Sequence, residues 1–303
     1  MPAVREPDLN ALLLFAAVAE TGSFTAAADR LDVAKAKVSL AVSRLEAQLG
    51  TQLFSRTTRR VVLTEAGQGL YAQCVPALRG VQESLAQMAG GGELHGTLRI
   101  SAAVEYAAQT LAPAVAAFAA AHPRLEVDLR TSDRVVDMLK EGIDVSVRMG
   151  WLRDSSLRAT RLTTFEQHVV ASPAYLRRAP PIRQPADLVK HDWVALMLLP
   201  TPLTWKFTSA AGQVRTVRVA GRMRTDAAST LRALLVQGCG VSVMDEFTTE
   251  APLRSGALVR LLPNWSLPRG GVHAVVPPGA RMSTKARAFV DFYADWLKAG
   301  RGA

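Results

Sequence analysis

Residues 16–67 read AAVAETGSFTAAADRLDVAKAKVSLAVSRLEAQLGTQLFSRTTRRVVLTEAG, and the order of parts in this stretch decides the fold. Two short apolar-faced helices separated by a tight turn lead into a hairpin with a basic tip and then a further helix start. That order is the one a winged helix-turn-helix requires. Upstream, Leu9, Leu12, Leu13, Ala16 and Ala17 recur at helical spacing up to Thr21-Gly22, which predicts a first helix. Ser23 then stands where a hydroxyl accepts a first-turn amide, with Phe24, Ala27, Ala28 and Leu31 as the buried stripe of the second helix. Asp32-Val33 makes the turn. In the third helix Val38, Ala41, Val42, Leu45 and Leu49 share one face, and Gly50 supplies the stop.

The opposite arc of the third helix carries Lys35 at its entrance, then Ala36, Lys37, Ser39, Leu40, Ser43 and Arg44. Small hydroxyls and cations on an exposed helix face suit a major-groove reader, because Lys and Arg neutralise phosphate or pair with guanine and Ser bonds several base edges. Ser23 and Thr25, at the start of the second helix, are further candidate contacts. After the third helix, Arg56, Thr58, Arg59 and Arg60 sit between the apolar pairs Leu53-Phe54 and Val61-Val62, so that a hairpin tip can lie along a sugar-phosphate backbone. From Lys35 to Arg60 six basic residues face Glu46 alone. An ordinary solvated helix face and loop would carry the same residue types, and the helix-turn-helix position is what favours nucleic acid.

Bulk properties agree. The chain has 303 residues, 49% of them hydrophobic and 20% charged, with a net charge of +10. This length and apolar content suit two packed domains and an anionic partner. Two cysteines, Cys74 and Cys239, are too few for a disulfide framework and fit packing roles in a reducing compartment. Glu6 and Asp8 stand where a secretory leader would be basic, and no run of apolar residues is long enough to span a bilayer. These features predict a cytoplasmic protein with no membrane association.

The run from Phe24 to Gly67, with F-T-A-A-A, L-x-V, V-S, R-L-E, L-G-x-Q-L-F-x-R-T-x-R and L-T-E-A-G, resembles the LysR-type transcriptional regulators. The resemblance implies an α/β protein: an N-terminal winged helix-turn-helix, a long linker helix, and a two-lobed α/β effector domain like that of periplasmic binding proteins. It also implies DNA contact through Lys35, Ala36, Ser39 and Leu40, with Arg56 and Arg59 on the wing. Two residues depart from the family's usual pattern. Ala34 replaces a capping Ser, and Leu40 replaces an Arg or Lys.

Thr64 is placed to cap the next helix, in which Tyr71, Cys74, Leu78, Val81, Leu85 and Met88 step by three and four, the seam of a dimerisation helix. Pro76 and Gly80 interrupt the seam, and Gly90-Gly91-Gly92 ends it. The domains expected are residues 1–63 (reader), 64–92 (linker) and 93–303 (effector domain). The first lobe takes about 97–164 and 272–303, and the second about 165–271. Dimers that pair into tetramers are implied by the resemblance, and RNA polymerase is a further partner.

From Thr97 strands alternate with helices: strands over 97–101, 125–130 and 145–149, helices over 104–121 and 135–141. A second series begins with a strand over 167–171. This pattern predicts parallel α/β architecture. The motifs G-T-L-R-I-S, P-x-x-x-x-F, H-P-x-x-E-V, G-I-D-V-S-V-R and G-x-G-V-S-V resemble the family's effector domain. Ligands in such sheets bind beyond strand C-termini near free helix amides, which selects Ser101, Ala102, Ala103, Thr131, Ser132, Arg148, Thr201, Asp245 and Phe247. Arg148 suits a small carboxylate or aromatic acid, whereas Asp245, where the family usually has Pro, suits a cationic or hydroxyl-rich group. The stretch Arg215, Arg218, Arg222, Arg224 reads as an anion patch or as a charge-guarded edge strand.

No metal-ligand cluster, catalytic motif or cofactor loop stands out, so the leading function is a DNA-binding transcriptional regulator controlled by a small molecule between the lobes, without metal or cofactor. A regulator without an effector is the nearest alternative. A cytoplasmic enzyme or solute-binding protein using the α/β cleft is the alternative of a different class.

Overall fold

The computed structural model describes residues 8–56, 61–89, 93–151, 158–277 and 282–300. They divide into two compact units, one built mainly of the residues up to Leu94 and the other beginning at His95.

The first unit opens with α1 (Leu9–Thr21), capped by the Asp8 side chain and closed by Gly22 at φ 64°. Ser23 caps α2 (Phe24–Arg30) by accepting from the Ala26 amide. The chain turns through Asp32 at φ 51° into α3 (Lys35–Leu49), which Gly50 ends at φ 64°. A short hairpin follows, β1 (Phe54–Arg56) and β2 (Val61–Leu63), paired antiparallel with Phe54 opposite Leu63. Thr64 then caps α4 (Glu65–Ala89), accepting from the Gly67 amide and donating to the Gln52 carbonyl.

Phe15, Val18, Ala27, Val38, Val42, Leu45, Leu53 and Phe54 form the centre of this unit. The Phe54 ring lies 5.3 Å from Phe15 and 5.8 Å from Phe24, an aromatic cluster that fixes the hairpin to the helices. α1 buries Ala11, Leu12, Leu14, Phe15, Ala17 and Val18, while Leu9 stays exposed. The expected stripe was displaced because α1 is apolar nearly all round, and the face carrying Phe15 is the one that packs. Leu49 is likewise exposed rather than buried. Gly67 is required: a Cβ there would come within 2.1 Å of the Leu53 carbonyl oxygen, so α4 starts pressed against β1. Tyr71 and Val75 complete the same core, with Cys74 and Leu78 packed on it, and α4 runs unbroken through Pro76 and Gly80.

The second unit begins with β3 (Gly96–Ala102), followed by α5 (Val104–Tyr106), one π turn (Ala107–Leu111), α6 (Ala112–Ala121), β4 (Leu125–Thr131), β5 (Val145–Gly150) and β6 (Arg158–Phe165). The chain then builds β7 (Gln167–Ala171), α7 (Pro173–Leu176), a 3-10 turn (Pro185–Lys190), β8 (Val194–Leu196), β9 (Thr204–Ser209), β10 (Val214–Arg218), β11 (Met223–Thr225) and α8 (Ala228–Val236). β12 (Val241–Asp245), α9 (Glu246–Arg254), β13 (Val259–Leu261), β14 (Trp265–Ser266), β15 (Gly270–Val276) and α10 (Thr284–Ala299) finish it.

One five-stranded sheet has the order β4-β3-β5-β15-β6. β3 is parallel to β4 and β5, but β15 inserts antiparallel between β5 and β6, so the sheet is mixed rather than wholly parallel. Leu98, Ile100, Leu111, Phe118, Phe289 and Tyr293 are buried in this half. The Tyr293 hydroxyl, 2.7 Å from that of Tyr106, is pushed up to about 12 by burial. The other half is made of smaller sheets, β12-β7-β13, β11-β8 and β10-β9-β14, around Trp193, Trp205, Phe207 and Val243.

Residues 135–141 are not a helix. The Asp137 side chain takes the Lys140 amide, the Glu141 amide returns to Asp137, and Gly142 at φ 64° ends this turn. Side chain and backbone of Asp137 compete for the amides that a helix would need. β6, which sequence patterning left unassigned, pairs with β15 along its length.

Candidate functional site

Two places gather polar side chains. On α3, Lys35, Ala36, Lys37, Ser43 and Arg44 are exposed, Leu40 is 52% exposed and Ser39 half-buried. Two acids of this unit, Glu46 and Glu20, are engaged elsewhere. Glu46 accepts the Leu53 and Phe54 amides at 2.8 and 3.2 Å, and Glu20 pairs with Arg30 at 2.6 Å and accepts from the Tyr71 hydroxyl. Among the described residues, Lys35, Lys37 and Arg44 have no ion pair. Ala34, the N-cap of α3, provides no side-chain bond; its carbonyl takes the Lys37 amide, and the Lys35 and Ala36 amides are left for an acceptor from outside. Ser23 spends its hydroxyl on capping α2, beside exposed Thr25. On the hairpin, Thr58, Arg59 and Arg60 lie outside the described residues, as does the Arg56 side chain.

Of the expected seam on α4, Tyr71 is buried in the unit's own core and Cys74 and Leu78 pack on that core, whereas Val81 is 59% exposed. The side chains of Leu85 and Met88 lie outside the described residues. Burial pushes the Cys74 thiol up, which favours the inert thiol over a thiolate.

In the second unit a cavity of about 340 Å³ opens between the two halves. It brings together Ser101, Ala102, Ala103, Ser132, Arg148 and Asp245. Thr131 and Thr201, both exposed, are not in its lining. Phe247 is also absent from it: its ring packs edge-on against Tyr106 at 5.4 Å and lines a second cavity with Thr164, Glu166 and His168. The lining includes residues that sequence reading missed, among them Glu105, Tyr106, Asp133, Ser146, Trp151, Phe165 and Gln167. Most of the wall is apolar, with Phe165, Leu196, Leu199, Leu231 and Val243 facing in.

Every acid in the first cavity's lining already has a partner. Glu105 pairs with Arg232 at 3.1 Å, and Asp133 takes the Val104 amide at the start of α5 at 3.1 Å. Asp245 caps α9, accepting the Thr248 amide at 2.9 Å and its hydroxyl at 2.7 Å. Asp245, expected to face a cationic or hydroxyl-rich group, does line the cavity, and each of its oxygens accepts one bond from α9, which leaves only their remaining lone pairs for a ligand. Burial raises its carboxyl pKa against the pull of those donors. Of the helix amides expected near Ala103, that of Val104 is taken by Asp133. Among the described residues, two cations in the lining have no acidic partner, exposed Arg134 and half-buried Arg148. Arg148 Nε donates to the Ser146 hydroxyl at 3.4 Å, and that hydroxyl lies 2.8 Å from Ser101 Oγ. Ser132 serves its own loop, accepting from the Arg134 amide.

Among the described residues no group of three or more His, Cys, Asp or Glu is arranged to hold a metal, and no single helix is long and apolar enough to cross a membrane.

Residues 9–68 match the family described as bacterial regulatory helix-turn-helix protein, lysR family, and residues 91–298 match the LysR substrate binding domain. The chain is 39% identical over 285 residues to the transcriptional regulator PtxR of Pseudomonas aeruginosa, covering 94% of this chain and 91% of that one. It is 34% identical to a transcriptional repressor of the same species, with coverage of 94% and 90%. The structure of CrgA, a LysR-type transcriptional regulator from Neisseria meningitidis, is similar over 95% of this chain and 98% of that one, at 29% identity and a TM-score of 0.60.

Proposed function

Because the chain belongs to the LysR family of DNA-binding transcriptional regulators, and is not an enzyme, we propose that it reads a specific operator through α3 and the β1–β2 hairpin and that a small anionic effector controls this reading. The observation that carries the DNA half is the exposed face of Lys35, Lys37 and Arg44, which have no ion pair among the described residues while Glu46 of the same helix is held by the Leu53 and Phe54 amides. Cations without local partners are free to displace counterions from phosphate. The protein acts in the cytoplasm as a homodimer, or as dimers paired into tetramers, so that two readers meet a two-fold symmetric site. Val81, exposed on α4, is available for such a contact.

The effector seat is the 340 Å³ cavity. Its acids are consumed internally and Arg148 is not, which favours a monoanion with a compact apolar body, held at one end by the guanidinium and the Ser101–Ser146 hydroxyl pair. The half built on the five-stranded sheet forms one lobe and the half from β7 to β14 the other. A ligand that binds one lobe arrangement better shifts the population toward it, and that differential affinity is what DNA binding responds to.

The test is binding to duplex DNA from the region upstream of the protein's own gene. A dimer brings twelve candidate cations; if about six meet phosphates, log K against log salt falls with a slope near −5. A salt-insensitive complex, or none, defeats the reading.

A further inference from the structure

The chain crosses between the two halves of the second unit twice, at 165–167 and at 268–270. β6 and β15 are paired with Val272 opposite Thr163, Gly271 opposite Thr164 and Gly270 opposite Phe165. Beyond the end of that ladder the same register continues through side chains. Glu166 Oε1 accepts from Arg269 at 2.8 Å, and Gln167 Nε2 donates to the Pro268 carbonyl at 2.7 Å. The Phe165 ring covers Gly270, where a Cβ would sit 2.2 Å from the ring.

Strand alternation splits these side chains between two sides. Phe165 and Gln167 line the effector cavity, whereas Thr164, Glu166 and His168 line the second cavity, which Phe165 also touches. Gln167 is therefore bonded to the opposite crossing and also open to the ligand. A carbonyl only accepts, so the bond to Pro268 fixes the amide's nitrogen end on the crossing. Oε1 is the end left over, with no bond to protein.

We infer that Gln167 couples ligand to hinge: Oε1 accepts a hydrogen bond from a hydroxyl or N–H donor on the effector while Nε2 stays on the Pro268 carbonyl. One amide then joins the ligand to both crossings. This rests on the reading of the cavity as the effector seat, and it narrows the effector to an apolar monoanion that carries a donor group away from its anionic end.

The test uses the full-length protein. Without ligand, Gln167→Met is expected to raise hydrogen–deuterium exchange of the amides at 166–169 and 269–271 about tenfold, with Tm shifted by no more than about 3 °C. Unchanged exchange overturns the bridge. In calorimetry with benzoate and 3-hydroxybenzoate as probes, the wild type is expected to bind the hydroxylated probe about tenfold tighter, and Gln167→Met to bind the two alike. Equal affinities in the wild type, or a preference that survives in Gln167→Met, overturn the coupling role. Binding of neither probe to the wild type overturns the anionic-effector reading and this inference with it. If Gln167→Met does not melt cooperatively, Gln167→Glu replaces it: it keeps an acceptor and loses the donor, so the preference stays while exchange rises, and loss of the preference with unchanged exchange overturns the inference.

Discussion

The outer face of α3 and the cavity of the second unit both collect cations and hydroxyls, yet they treat them in opposite ways. On α3 the cations point outward and their acidic neighbours are tied to backbone amides and to Arg30. In the cavity the acids are held in internal bonds, to Arg232, to the start of α5 and to the start of α9, and two guanidiniums remain, exposed Arg134 and half-buried Arg148. An exposed reading surface works through the number of its unpaired charges, because screening makes each of them weak. A cavity works through the few charges left over, because the others have been neutralised by its own wall.

The largest effect expected from this contrast is on DNA. Raising salt from 50 to 200 mM at a slope near −5 weakens operator binding about 10³-fold, and replacing Lys35, Lys37 and Arg44 by Ala flattens that slope without changing calorimetric binding of benzoate. A triple variant that loses both would erase the distinction between the two regions. Next, Arg148→Gln weakens benzoate binding about 10- to 100-fold through a lost charged hydrogen bond, with an unchanged salt slope on DNA. Smaller still, Asp245→Ala lowers stability by about 1 kcal/mol in thermal melts by uncapping α9, whereas Asp245→Asn keeps the cap.

The pH dependence of that last pair sharpens the comparison. Burial raises the folded-state pKa of Asp245, so its contribution favours folding most below the unfolded carboxyl pKa and is lost as pH rises through the raised value. Asp245→Asn therefore gains on the wild type between acid and neutral pH, and the two converge in acid, as read by Tm against pH. Ala34→Ser gives an effect of similar size in the other unit. It adds the missing cap of α3, raising stability by about 1 kcal/mol, and its hydroxyl then competes with phosphate for the first-turn amides, so operator binding does not strengthen.

The first unit was far easier to read in the sequence than the cavity. Ser23, Gly22, Gly50 and Thr64 act over three or four residues, and local spacing reveals them. The cavity's chemistry depends on partners remote in sequence, such as Asp133 with Val104, Glu105 with Arg232 and Gln167 with Pro268, and no local pattern announces those. Asp245 is the instructive exception. Its bond to Thr248, three residues on, is a local capping signal, and it was legible as such. Thr201 and Thr131 lie near strand ends, but which side of a loop meets the cavity depends on packing against residues remote in sequence.

The close approach of Gly67 to the Leu53 carbonyl, with Tyr71 and Val75 buried beyond it, bears on how this protein is recombined with its relatives. A chimera joined after residue 63 would transplant the reading helices without the side chains that close their core. A junction past Leu78 carries the whole packed piece, so a graft there exchanges operator preference while leaving the recipient's response to its own effector to be measured cleanly.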